Sequence, residues 1–292
     1  MNLDAPPGFT GSSIDRADHL REHDDQIGEL ASSTKARLLR MRGLDPQLDT
    51  ERRLTWGSTA EAAVGEPLIF LGLRDGTPLF APLPRVDVIP ARPGSLFQLI
   101  SEMSAEEVAI FGAARSLIGW HNRHRFCSNC GQATAVFRAG WGRRCPNCKS
   151  DHFPRVDPIV IMLAEHEGRV LVGRQRQFPP RSYSALAGFV EPGESIEEAV
   201  TRELHEEAGI AVFNIRYVAS QPWPFPSGLM IACIAEARSD VLALDQNELE
   251  DAMWVDRAGV AAALSGDESA PFVVPPPYAI ANTLLRRWLK GA

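Results

Sequence analysis

The chain has 292 residues, 45% of them hydrophobic, which is enough to bury a sizeable core and to build two or three domains. Its formal charge of −7 argues against sequence-independent nucleic-acid binding by the protein as a whole. With no apolar signal segment and no apolar run of membrane-spanning length, the expectation is a soluble, cytoplasmic protein without a membrane partner. The charge is uneven: residues 1–30 hold seven acids against two bases, and residues 121–155 hold seven bases against one acid.

Residues 1–30 combine Pro6-Pro7-Gly8 and Gly11-Ser12-Ser13 with mixed charge, and read as flexible apart from a short helix around Ile14–His23. Leu54–Leu83 reads as β-structure. Within it the apolar runs Pro67–Leu73 and Pro78–Leu83 flank an Arg74-Asp75-Gly76-Thr77 turn, which predicts a hairpin. Leu96–His121 reads as helical, most clearly over Ala105–Ile118, with Ser104 as N-cap and Glu107 completing a capping box. Residues 1–120 carry no chemical signature, and are expected to form a small α+β domain for packing and dimerisation.

Residues 121–154 carry two Cys-x2-Cys pairs, Cys127/Cys130 and Cys145/Cys148, fourteen residues apart. Gly131 follows the first pair, and Pro146-Asn147 lies inside the second. Four thiolates at this spacing predict a zinc ribbon whose tetrahedral Zn²⁺ is closed to water and therefore structural. His121, His124 and His152 flank it as surface or outer-shell groups. Arg123, Arg125, Arg143 and Arg144 allow a local phosphate or nucleic-acid contact; a metal-stapled spacer with a solvated basic surface is the plainer reading. Cys233, alone in an apolar run, reads as a buried core residue.

From Arg155 to the end, residues 155–292, the pattern is that of one α/β domain. Pro158–Ala164 and Arg169–Arg174 read as strands around a His166-Glu167-Gly168 turn, and residues 175–187 form a loop. A helix over Ser195–Ala208 stops at Gly209, with Ile196, Ala199, Val200, Leu204 and Ala208 as its buried face. Ile215–Ala219, Leu229–Ala237 and Met253–Val255 read as strands, and Ala258–Leu264 and Tyr278–Leu289 as helices. On the first helix Glu203, Glu206 and Glu207 stand at i, i+3 and i+4, so their carboxylates share one side. They repel unless a charge offsets them, and hard cations such as Mg²⁺ or Mn²⁺ take such oxygen ligands. A solvated acidic face is the alternative. Further on, Ser220–Met230 alternates Pro222, Pro224 and Pro226 with Trp223 and Phe225. The prolines restrict the backbone and suit rings held out to stack on adenine or nicotinamide, or else a packed connection.

The stretch Gly188–Ile210, GFVEPGESIEEAVTRELHEEAGI, resembles the Nudix box G-x5-E-x7-R-E-U-x-E-E-x-G-U (U aliphatic) at every defined position. SQPWPFPSG, together with the ribbon before it, resembles the NADH pyrophosphatase branch of that superfamily over residues 121–289. The resemblance implies an α/β/α sandwich with a mixed sheet, preceded by the ribbon and the N-terminal domain. It implies metal-dependent hydrolysis of the pyrophosphate of NADH or NAD⁺ to nicotinamide mononucleotide and AMP. Glu203, Glu206, Glu207 and Glu248 would hold the catalytic Mg²⁺ or Mn²⁺, with Glu206 or Glu207 as general base. Gly188, Glu194, Arg202 and Gly209 would frame the box, with Arg202 and Glu194 as a structural ion pair. Substrate contacts would come from Phe153, Ala187, Phe189, Gln221, Trp223, Met230, Glu248 and Ala281, in a homodimer whose proline-aromatic loop reaches the partner's site. Two departures stand out. Gly228 occupies the place of a serine that Ser227 would have to replace, and Phe153 the place of a tyrosine. NAD-cap removal from RNA is the alternative substrate reading, with the RNA leaving across the basic ribbon, and a non-catalytic nucleotide sensor the alternative class.

Overall fold

Val160, Met162 and Ala164 point to one face of a single strand and Ile161 and Leu163 to the other, and all five are buried. A strand apolar on both faces must sit between two layers. The computed structural model, which describes residues 6–86 and 94–291, shows those layers. It divides the chain into two units. One comprises 157–222 and 228–292 together with the N-terminal residues up to Gly8; the other comprises Phe9–Val156 with Trp223–Ser227.

In the first unit β10 (Asp157–His166), β11 (Arg169–Arg174), β12 (Leu186–Phe189), β13 (Val212–Trp223), β14 (Gly228–Ala237) and β15 (Asp251–Asp256) form one sheet. Its order is β13-β14-β10-β11-β15, with β12 paired to β10. The β10–β14 pair is parallel, while β10–β11, β10–β12 and β11–β15 are antiparallel, so the sheet is mixed. Helix α4 (Ile196–Ala208) covers one face through Ala199, Val200, Leu204 and Ala208 against Val160, Met162 and Cys233. Helices α5 (Arg257–Ser265) and α6 (Ile280–Lys290) cover the other, with Leu284, Leu285 and Trp288 against Ile161, Leu163 and Ile234. This is the expected α/β/α sandwich. Cys233 lies in its core, and burial pushes its thiol up to about 11.

The second unit opens with α1 (Asp24–Ser32), followed by β1 (Arg37–Leu39), β2 (Met41–Arg42), β3 (Asp45–Pro46), β4 (Trp56–Gly57), β5 (Leu68–Arg74) and β6 (Thr77–Pro82). A four-stranded sheet runs β4-β1-β6-β5, and β5–β6 is the predicted hairpin. Helices α2 (Gly94–Glu102) and α3 (Ala105–Arg123) follow, then β7 (Ala135–Phe137), β8 (Gly142–Arg144) and β9 (Asp151–His152), which pair as a small three-stranded sheet.

Several expectations are corrected here. Residues 6–30 are built into the fold: Phe9 is buried and Asp15 exchanges backbone hydrogen bonds with Leu73. The helix expected at Ile14–His23 is only a single 3₁₀ turn, Asp18–Leu20, and the α-helix begins at Asp24. Residues 1–5 lie outside the described residues. The capping box at Ser104 is half-formed. Ser104 accepts from the Glu107 backbone, but the Glu107 carboxylate turns away to accept from the Leu54 backbone at 2.5 Å.

Candidate active site

The site grows from how α4 is started and stopped. Ser195 caps the first turn in a reciprocal box with Glu198, and Gly209 ends the helix in the left-handed region at φ 71°. With both ends pinned and one face locked in the core, Glu203 and Glu207 lie along the edge of that buried face and Glu206 just outside it, in fixed register. Arg202 ties this rim to the loop before it. Its guanidinium donates to both oxygens of Glu194 (2.6 and 2.9 Å), to the Phe189 carbonyl (2.9 Å), and to Glu203 (2.8 Å) and Glu206 (2.9 Å). Glu194 in turn accepts from the Glu191 backbone, and these bonds hold its carboxyl down at about 2. One arginine thus joins strand, loop and helix.

Burial decides the electrostatics. Glu207 is 4% exposed, and no hydrogen-bond donor among the described residues reaches its carboxylate. Desolvation, and then the charges of Glu203, Glu248 and Glu206, push it up to about 8. Glu203 is also raised, chiefly by burial, although Arg202 opposes the shift. Glu248 is brought in by backbone bonding, because the Asp245 N–H donates to the Glu207 carbonyl and Glu248 N–H to the Asp245 carbonyl. A buried carboxylate beside Glu203, Glu206 and Glu248 can keep its proton or take a hard divalent cation, although no three of these carboxylates converge within 4.8 Å as the ribbon sulfurs do. Gly188 lies at van der Waals range of Glu203: a Cβ there would fall 1.9 Å from that carboxylate.

Strand β12 serves two faces. Gly188 looks toward α4, while Ala187 and Phe189 alternate to the other side. Phe189 and Met230 both pair with Ile159, so the three form a row across β12, β10 and β14. Phe189 is 62% exposed, an apolar platform at the sheet edge.

In the second unit the four cysteine sulfurs lie within 4.8 Å of one another, the one such group among the described residues, and none is in a disulfide. Cys127–Cys148 and Cys130–Cys145 are separated by 3.6 and 3.5 Å, close to the edge of about 3.8 Å that tetrahedral Zn–S bonds require. The two turns are alike, closed by the Gly131 N–H onto the Cys127 carbonyl and the Lys149 N–H onto the Cys145 carbonyl, with positive φ at Gly131 and Lys149. The donor set fits Zn²⁺ with no open position. His152 Nε2 stands 3.3 Å from the Cys127 sulfur, as an outer-shell group.

Other predicted residues fall elsewhere. His121 is not a surface group: it is buried, bonded to the Gly140 carbonyl and to Arg143, and burial lowers it to about 4. Arg143 is itself buried, donating to the Thr134 hydroxyl and carbonyl, and Arg144 pairs with Asp151. The basic surface expected of the ribbon is thus smaller than its charge count. Gln221, expected as a substrate contact, is fully buried. Its Nε2 donates to the Gly8 and Tyr278 carbonyls, and its Oε1 accepts from Ile280. Ala281 lies in the core, on the buried face of α6. Trp223 and Phe225 are held in rather than out. Trp223 stacks on Phe97 at 5.9 Å, and both rings meet Phe9 edge-on. Ring packing on Phe9 and Phe97 won over presentation. The Ser227 hydroxyl donates to the Arg155 carbonyl, so it is not spare. Phe153 is half-exposed, 6.0 Å from Phe137.

Arg115, which the sequence reading passed over, is buried and donates to the carbonyls of Pro224 and Leu44 and to Asp45. Its signal was an arginine on the apolar side of the Ala105–Ile118 helix.

Comparison with known proteins agrees with this geometry. Residues 154–273 match the NUDIX domain model and 122–153 the NADH pyrophosphatase zinc ribbon domain. A Mycobacterium bovis protein named NAD-capped RNA hydrolase NudC is 36% identical over 99% of this chain and 96% of its own length. The chain belongs to the Nudix hydrolase family. Within that family it is also similar to the human NAD-capped RNA hydrolase NUDT12, 44% identical over 65% of this chain and 43% of that protein. The mouse mitochondrial NAD(P)H pyrophosphatase NUDT13 is 39% identical over 75% of this chain and 66% of that protein. The chain therefore spans less than half of the length of human NUDT12. No helix among its described residues is long and apolar enough to cross a membrane.

Proposed function

We propose that this Nudix chain hydrolyses the pyrophosphate bond of NADH and NAD⁺ to nicotinamide mononucleotide and AMP. The observation that carries the hydrolytic chemistry is the buried Glu207, raised by burial and then by the charges of Glu203, Glu248 and Glu206, while the match of residues 122–153 to the NADH pyrophosphatase zinc ribbon domain supports the dinucleotide. Those four glutamates would hold Mg²⁺ or Mn²⁺, which when bound neutralises the diphosphate and activates a water. Arg202 keeps Glu203 and Glu206 in register with the loop, and Glu206 or Glu207 takes the proton from the attacking water. Phe189, with Ala187 and Met230 on the same sheet face, offers an apolar platform for a flat ring. The ribbon cysteines would hold Zn²⁺ and fix the β7–β9 sheet. We include in this reading a cytoplasmic location and a homodimer, the latter supported by the exposed apolar Phe126, Phe153 and Val156.

The test is product analysis after incubating the purified protein with NADH and Mg²⁺ or Mn²⁺. Reduced nicotinamide mononucleotide and AMP are expected, and recovery of intact NADH would overturn the reading. Removal of an NAD cap from RNA is the second reading, favoured by the names of the mycobacterial and human relatives. It uses the same carboxylates, and the comparison of kcat/KM on NADH and on NAD-capped RNA ranks the two.

A further inference from the structure

The face of the β4-β1-β6-β5 sheet opposite α1 opens into a cavity of about 340 Å³, within the usual range of small-ligand pockets. Strand register builds its lining. Arg37 pairs with Leu79 and Leu39 with Trp56, so Arg37, Trp56 and Leu79 share this face. Leu38 and Phe80, one residue away, enter the core against α1. Arg74, at the end of β5, holds its guanidinium 5.6 Å from the centre of the Trp56 ring. Lys35 completes a triad of cations, with Asp75 as the single acid of the lining.

The cations are placed and largely uncompensated. Arg37 Nη1 donates to the Thr34 and Ala36 carbonyls at 3.0 and 2.9 Å, which fixes the guanidinium at the cavity mouth. Among the described residues no carboxylate pairs with Arg37 or Lys35, and Arg74 has only Glu106 at 3.9 Å. Positive charge beside a flat aromatic ring is the combination that holds a phosphate and a base together.

We propose that this groove binds a nucleotide, its phosphate on Lys35 and Arg37 and its base on Trp56 beside Arg74. Asp75 accepts from a ribose hydroxyl. A free nucleotide and one nucleotide of an RNA strand offer this same chemistry. The proposal is independent of the hydrolysis described above, because no residue of the groove belongs to the carboxylate site.

The test uses the full chain, ¹⁵N-labelled, with the Trp56 indole N–H signal assigned by its loss in Trp56→Phe. The probes are AMP, ribose 5-phosphate and a 5′-phosphorylated ten-nucleotide RNA. AMP is expected to shift the Trp56 signal saturably, and to bind at least about tenfold more tightly than ribose 5-phosphate because the base stacks. Lys35→Ala/Arg37→Ala, both exposed positions, should weaken AMP by about tenfold and leave NADH turnover unchanged. RNA binding tighter than AMP supports a strand as the source, and equal or weaker binding supports a free nucleotide. No saturable shift at millimolar AMP or RNA, equal binding of AMP and ribose 5-phosphate, or unchanged affinity in the double variant would each overturn the proposal. NADH turnover by the parent protein reports separately on the carboxylate site.

Discussion

Gly188→Ala separates the stability of this chain from its chemistry. The backbone at Gly188 is not in the left-handed region, so alanine is conformationally tolerated there. What the methyl meets is the end of a side chain. Its Cβ falls 1.9 Å from the Glu203 Cδ and Oε1, where 3.0 Å is the practical limit, so the carboxylate must retreat by roughly 1 Å. That retreat breaks the 2.8 Å bond to Arg202 and moves one of the proposed metal ligands, while the helix backbone can stay in place. Rotating one side chain costs about 1 kcal/mol, a shift of a few degrees in Tm at most for a chain this long. Misplacing a catalytic ligand by that distance costs about 10²-fold in rate. The assay is kcat for NADH at saturating Mg²⁺, beside thermal unfolding and zinc content. A variant with kcat within threefold of the parent would refute the placement of Glu203 against Gly188. A variant that loses its fold would refute the claim that the clash is local.

Glu207→Gln should raise the Tm of protein without added divalent cation at pH 8, since it removes a buried charge, and yet abolish turnover; a variant that is both destabilised and inactive would mean that Glu207 is structural. The parent's own stability should fall between about pH 4.5 and 8 without added divalent cation. The folded state keeps the Glu207 proton, held up to about 8, that the unfolded chain releases near 4.5, and added Mg²⁺ should flatten the profile. Gln221→Leu strands the Gly8 carbonyl and the Ile280 N–H, while the Tyr278 carbonyl keeps the Gly8 N–H, at a cost of roughly 2 kcal/mol in urea unfolding, and the KM of the folded protein should stay near that of the parent. Arg143→Gln should destabilise by a similar amount and reduce NADH and NAD-capped RNA turnover alike, whereas a loss confined to RNA would show that Arg143 meets the strand.

Where sequence reading succeeded, local chemistry and tertiary demand pointed the same way. The cap at Ser195, the apolar stripe of α4 and the stop at Gly209 are each written within a few residues of where they act, and the helix ends within one residue of the expected bounds. The two cysteine knuckles are equally local. Where it fell short, the deciding partner was distant in sequence. Glu107 caps nothing because Leu54 claims its carboxylate, and Gln221 is consumed by Gly8, Tyr278 and Ile280. The strand expected over Ile215–Ala219 in fact runs on to Trp223, because pairing with β14 outweighs the proline at 222. Edge position explains the tolerance: β13 is at the end of the sheet, where a missing N–H need not interrupt a ladder.

Formal charge misled for the same reason. A count of seven bases against one acid over 121–155 suggests a phosphate-binding surface, but a guanidinium is also the best donor for closing a small fold with little core. Arg143 spends its bonds joining β8 to Thr134 and His121, and Arg144 closes on Asp151 across β8 and β9. The charge that remains available is set by which cations lack a partner, and that is a property of the folded chain. Measured by the lack of a carboxylate or buried side-chain partner, Lys35 and Arg37, in a segment with no notable charge count, stand out more than Arg143 and Arg144 do. If RNA is a substrate, the salt dependence of its turnover should therefore respond to Lys35→Ala/Arg37→Ala more than to Arg144→Ala. The reverse ranking would return the strand to the ribbon.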